Sequence, residues 1–118
     1  MEADIYKYLY DILYSVNIIE EHTSGIASFS AYENDLKTID AVERRLCIVG
    51  EALNKAAKLN PQLDVSNRDK IIGLRHLLVH DYDRSDDSII WTILQKHLPI
   101  LKREVELLLK EHDGSTIN

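Results

Sequence analysis

Very little in this chain could cross-link it, bend it or anchor it in lipid. Its 118 residues include one cysteine, two prolines and four glycines. A single thiol forms no internal disulfide, and no Cys/His spacing matches a zinc site; Cys47, set in an apolar stretch, is expected as a core thiol. So few breakers argue against many short strands and for long helices. No apolar run approaches the roughly 20 residues that span a bilayer. Met1 to Tyr10 carries Glu2, Asp4 and Lys7 and lacks an apolar signal core, so a cytoplasmic location is expected. Positive charge is also in deficit. Fourteen Lys and Arg face twenty Asp and Glu, a formal net charge of −6. Such a chain lacks the broad basic field that drives non-specific nucleic-acid binding, although a local basic pocket or a positively charged partner stays open. What remains, 45% hydrophobic and 29% charged residues, is the balance of an ordinary globular protein. The length suits one domain, residues 1–118.

Periodicity supplies the architecture. Ile5, Leu9, Ile12, Leu13, Val16 and Ile19 recur at steps of three and four, predicting a helix from about Asp4 to His22. Tyr6, Tyr8, Tyr10 and Tyr14 flank that face and are expected to cover the core's edge. Ser24-Gly25 breaks the helix. Thr23 to Asn34 is expected to be a loop with one short helical turn, in which Ser30 and Glu33 resemble a capping box. Ile39, Val42, Leu46, Val49, Leu53 and Ala56 form a heptad-like seam over about Thr38 to Leu59, ended by Asn60-Pro61. Pro61 to Asn67 is a polar connection. Ser66 or Asn67 is placed to cap a helix from about Arg68 to Val79, with Ile71, Leu74 and Leu78 buried. A last helix follows Ser85, opening with Asp86 and Asp87, where the helix dipole favours negative charge. It carries Ile90, Ile93, Leu94, Leu98, Leu101, Val105 and Leu108 inward and should kink at Pro99. Residues 113–118 are expected to fray. The sum is an all-α fold: an antiparallel, up-down four-helix bundle with a short extra turn.

The chemistry gathers where the third long helix runs out: Arg75-His76-Leu77-Leu78-Val79-His80-Asp81-Tyr82, an Arg-x4-His-x-Tyr pattern. Positions five apart lie about 140° apart on a straight helix, so Arg75 and His80 do not share a face. Either the helix ends near Val79 and His80 swings round, or two copies meet so that both pairs line one cleft, as a twofold dimer does automatically. Histidine moves protons near neutrality. Arginine offers a rigid fork of donors to a phosphate. Without metal or cofactor, the two suit cleavage of RNA by its own 2′-hydroxyl, with the arginine steadying the phosphate in the transition state. Tyr82 adds a hydroxyl able to bond to phosphate or accept a transferred group. The bland alternative is a histidine favoured at a helix C-terminus by the dipole alone. His22, His97 and His112 read as surface or helix-end residues, and Trp91 as packing.

The segment Ile71 to Tyr82 resembles the signature of the HEPN superfamily, specifically its HepT-like toxin branch. The upstream Gly50-Glu51-Ala52 step, Ile90-Trp91 and Leu98-Pro99 are similar to that branch as well, so the resemblance spans nearly the whole chain. It implies a helical bundle that dimerises with the motif near the interface. It further implies a metal-independent endoribonuclease acting as the toxin of a type VII-like toxin–antitoxin system. The partner would be a minimal nucleotidyltransferase antitoxin that neutralises the toxin by transferring AMP to the motif tyrosine, here Tyr82, and so blocks the cleft with charge and bulk. Arg75 and His80 match the superfamily's catalytic pair. His76 and Glu51 would support it. His76 stands where the family commonly has Asn, and either orients the site or shares proton transfer. Glu51 pairs either with Arg75 or with Arg44 or Arg45. The competing reading is a non-catalytic helical module that binds, or is modified by, a nucleotidyltransferase.

Overall fold

A computed structural model describes residues 3–80 and 86–117, with backbone alone for 3, 79, 80 and 113–117. The described residues are helical with no strand. The first helix, α1, spans Ala3–Thr23; a short α2 spans Phe29–Glu33; the long α3 spans Leu36–Leu59; α4 spans Arg68–His80. After residues 81–85, which lie outside the described residues, α5 (Asp87–Thr92), a π-helical segment (Ile93–His97) and α6 (Leu98–Ile117) follow without interruption. The molecule is elongated, 49 × 29 × 19 Å.

The predicted stripes face inward. Ile5, Leu9, Ile12, Val16 and Ile19 of α1 meet Val42, Leu46, Val49 and Leu53 of α3 in one core. Ile71, Leu74 and Leu78 of α4 join it, as do Ile90, Ile93, Leu98, Leu101 and Val105 from the C-terminal half. At the far end Leu109 is the fully buried leucine, and its neighbour Leu108 is only partly covered. Helix α3 packs against α1, α4 and α2, and α6 packs against α1. The α1–α3 pair is antiparallel: Lys55 reaches the Tyr8 ring while Arg45, ten residues earlier, reaches Tyr14.

Capping decides several boundaries. Ser28, not Ser30, starts α2; its extended backbone lets its hydroxyl accept the Ala31 N–H. Asp35 starts α3 two residues earlier than hydrophobic spacing suggests, accepting both the N–H and the hydroxyl of Thr38. Asp86 caps α5, accepting from the Ser88 N–H and hydroxyl, and leaves Asp87 in the first turn. The Pro61 to Asn67 connection is less polar than it reads, because Leu63 and Val65 are buried in the core. It is pinned by Arg68, which donates to the Pro61 and Leu63 carbonyls, and by the Ser66 N–H, which donates to the Glu104 carboxylate. Asn67, one of the two candidates, stands immediately before α4. Asn67 takes φ 58°, a left-handed conformation that asparagine tolerates, and its carbonyl accepts the Ile71 N–H.

Pro99 acts upstream of itself. It has no N–H for the Gln95 carbonyl, and its ring crowds that turn. The helix widens instead: the Leu98 N–H reaches the Ile93 carbonyl, five residues back. The expected kink is thus a π segment. The expected fraying is not seen either, as α6 stays helical to Ile117.

Candidate functional site

Gly50 sets how closely α4 approaches α3. A Cβ at this buried position would sit 2.9 Å from the Ile71 carbonyl oxygen and 3.5 Å from the Arg75 nitrogen. Only the missing side chain lets the two backbones meet here. That approach places Arg75, on α4, opposite the residue after the glycine. The Arg75 Nε lies 2.7 Å from Glu51 Oε2. Of the pairings open to Glu51, the structure contains the one across to Arg75. Both side chains are about half exposed, so the pair contributes at most about 1 kcal/mol to stability. Its larger effect is orientation. The carboxylate engages one of the five N–H donors of the guanidinium and holds the plane at the rim of a groove.

That groove, about 340 Å³, lies between α1 and α3 with Arg75 at one side. Arg44, Ile48, Glu51 and Lys55 line it from α3 at steps of four, three and four, hence from one stripe. Lys7, Tyr8 and Asp11 line it from α1. Lys55 also pairs with Glu51 at 3.6 Å and Lys7 with Asp11 at 3.4 Å. Cys47 belongs to this wall and is half-buried rather than in the core. Desolvation pushes its thiol pKa up, against a smaller downward pull from Arg44 and Arg75. The stripe and its α1 counterpart were legible as spacing but were masked by the stronger apolar seam beside them.

A second groove, about 450 Å³, runs along the other flank of α4, against α5 and the π segment. Asp69, Gly73 and Leu77 line it from α4, and Ile89, Ile93 and His97 from the opposite side. Ile89 is half exposed. The helical backbone of α4 continues through His80. Asp69, Gly73, His76 and position 80 follow at steps of four, three and four, so they share the stripe bordering this groove. The side chain of His80 and all of Tyr82 lie outside the described residues. His76 is exposed. Arg75 and position 80 are therefore not brought together on one side of α4.

The remaining aromatic and histidine residues divide. Tyr6 and Tyr8 pack against the core, whereas Tyr10 and Tyr14 are exposed. His22 is exposed, and His112 stacks on Tyr6 with ring centroids 3.6 Å apart. The Nδ1 of His97 is buried, unlike a surface residue's. Trp91 packs against Tyr32, a wholly buried ring not anticipated from spacing; desolvation drives the Tyr32 phenol well above its ordinary pKa. Among the described residues, no three His, Cys, Asp or Glu side chains gather as metal ligands, and no helix is long and apolar enough to cross a membrane.

Comparison with known proteins adds the following. The sequence profile described as "Ribonuclease HepT-like" matches residues 12–108. A protein of Methanocaldococcus jannaschii named as a candidate RNase is 33% identical over 111 residues, covering 91% of this chain and 98% of its own. A second from that organism, named likewise, is 31% identical and covers 99% and 97% of the two chains. One from Caldanaerobacter subterraneus, again named a candidate RNase, is 33% identical over 106 residues, covering 88% and 94%. No solved structure matches.

Proposed function

From the premise that this chain belongs to the HepT-like ribonuclease family, we propose that it is a metal-independent endoribonuclease whose active site is completed by a second copy. The observation that carries the reading is the placement of Arg75, held by Glu51 at the rim of a cation-lined groove. In the proposed reaction His80 takes the proton of a ribose 2′-hydroxyl, and O2′ attacks the adjacent phosphorus. The P–O5′ bond breaks, protonated His80 returns its proton to the leaving 5′-oxygen, and the other strand end keeps a 2′,3′-cyclic phosphate. The guanidinium of Arg75 offers its outer N–H groups to the phosphoryl oxygens as charge builds on them. His76, next to Arg75 on an exposed turn, orients the site or shares proton transfer.

The split of the motif supports the dimer. With α4 helical through His80, positions 75 and 80 lie on opposite flanks of one chain. Two copies related by a twofold axis place one chain's flank beside the other's. We take the main helices as an up-down bundle that pairs in this way. In a cytoplasmic toxin–antitoxin pair, a minimal nucleotidyltransferase would transfer AMP to Tyr82, adding phosphate charge and bulk beside the cleft.

Incubating the purified chain with RNA, with and without EDTA, tests the reading. Cleavage that resists EDTA and leaves cyclic phosphate ends is expected. No cleavage by the unaltered chain would sink the catalytic assignment. The net charge of −6 favours one competitor, a non-catalytic module that only docks a nucleotidyltransferase. Modification of Tyr82 on co-expression, with no RNA cut by the unmodified chain, would select it.

A further inference from the structure

The α1–α3 groove extends beyond Arg75 in a way the catalytic motif does not account for. Lys7, Arg44, Lys55 and Arg75 border it against only Asp11 and Glu51, in a chain with a formal charge of −6. The lining therefore carries a formal excess of positive charge. Between the cations stands the Tyr8 ring, and a second ring, Tyr14, lies on the same two helices outside the lining. Lys7 Nζ lies 5.0 Å and Lys55 Nζ 5.8 Å from the Tyr8 centroid. Arg45 Cζ lies 5.5 Å from the centroid of Tyr14, a ring 62% exposed. Arg44 and Lys55 are eleven residues apart on one stripe, about 16 Å along α3 at 1.5 Å per residue. That length suits about five nucleotides stacked at roughly 3.4 Å each.

We propose that this groove, continued along α1 and α3 to the Arg45–Tyr14 pair beyond its lining, is the track on which single-stranded RNA reaches Arg75: Lys7, Lys55, Arg44 and Arg45 take the backbone phosphates, and Tyr8 and Tyr14 stack bases. The inference rests on the ribonuclease reading and assigns it a substrate class, unpaired RNA, and a direction of approach. Alternating cations and aromatic faces on one open groove are what sequence-tolerant single-strand binding requires. Lys7 and Lys55 lie over the Tyr8 ring and Arg45 over the Tyr14 ring. A bound strand exchanges each weak, solvent-exposed cation–π contact for a base stack and passes the cation to a phosphate. Every cation concerned is on a long side chain, and Lys7 and Lys55 are more than half exposed, so the exchange needs no backbone movement. A duplex is a poor fit, because its bases are already stacked and unavailable to the tyrosines.

The test is fluorescence anisotropy of a labelled single-stranded oligoribonucleotide on the full chain carrying His80→Ala, which binds without cutting, titrated across salt. Adding Lys7→Ala with Lys55→Ala should weaken binding about tenfold or more and lower the slope of log K against log salt by about 1.4, at roughly 0.7 per phosphate contact. Tyr14→Ala, at an exposed position that leaves the core untouched, should weaken binding about five- to a hundredfold, while Tyr14→Phe restores it. Bound RNA should also slow alkylation of Cys47, the sole thiol and part of the groove wall, a readout independent of cleavage. A chain with intact His80 that cuts RNA, combined with unchanged affinity and salt slope in these variants, overturns the track and leaves the ribonuclease standing. Equal affinity for duplex and single strand overturns the substrate class. A chain that neither binds nor cuts RNA overturns both readings.

Discussion

The two grooves flanking α4 share that helix but little else. One lies between α1 and α3, is walled by Arg44 and Lys55, and takes in Arg75 where Gly50 lets α4 lie against α3. The other is walled largely by Leu77, Ile89 and Ile93 and borders an open glycine, Gly73, with nothing within 4 Å of an added Cβ. The difference teaches that a motif contiguous in sequence is divided by helix geometry. Arg75 belongs to the charged flank and position 80 to the apolar one. A flank bordered by cations and a flank with half-exposed Ile89 differ in the surfaces they can meet.

The comparison is most easily broken at the motif itself. Arg75→Ala and His80→Ala should each lower RNA cleavage by about a hundred- to ten-thousandfold while thermal unfolding changes little. If the site is shared between copies, mixing the two inactive chains should restore activity on the order of a quarter of normal, because a mixed dimer keeps one intact Arg–His pair. No recovery on mixing, with subunit exchange shown by mass spectrometry, would place the whole site within one chain.

The glycines sharpen the contrast in opposite directions. Gly50→Ala should cost about 1–3 kcal/mol in denaturant unfolding, since its Cβ meets backbone and not a movable side chain. It should also lower cleavage by separating Glu51 from Arg75. Gly73→Ala meets open space in the middle of α4 and should stabilise the isolated chain by about 0.5–1 kcal/mol. Weaker self-association by the same variant in analytical ultracentrifugation would mark its flank as the contact between copies.

The smallest effect expected is in acid. Hydrogen bonds from the Thr38 hydroxyl and N–H hold Asp35 below the ordinary carboxylate pKa, and those from Ser88 do the same for Asp86. Each group binds its proton more weakly folded than unfolded. Its contribution is therefore complete above the unfolded value of about 3.9 and is lost as pH falls through the lowered one. Asp35→Asn with Asp86→Asn should flatten the acid limb of a melting-temperature profile below about pH 4. An unchanged limb would mean that these caps do not carry it.

Much was legible beforehand because helices leave a periodic trace. The stripes through Leu9, Leu46 and Ile71 identify the long helices and their buried faces, and Arg75, His80 and Tyr82 stand out wherever an apolar pattern stops. Ends were harder to read. Ser30 and Glu33 have the spacing of a capping box, yet the backbone angles and the hydrogen bond put the cap at Ser28. Pro99 announces a disturbance without saying whether the helix bends or widens. Leu63 and Val65 looked incidental because a connection has no period to reveal a buried residue.

Helix number, order and inward faces follow from local spacing, which acts over three or four residues and needs no partner. The Glu51–Arg75 pair and the gathering of Lys7, Arg44 and Lys55 along the α1–α3 groove depend on how helices meet. Both join groups through space; the first does so across a contact whose closeness is set by the absent side chain of Gly50, and no spacing along the chain encodes that distance.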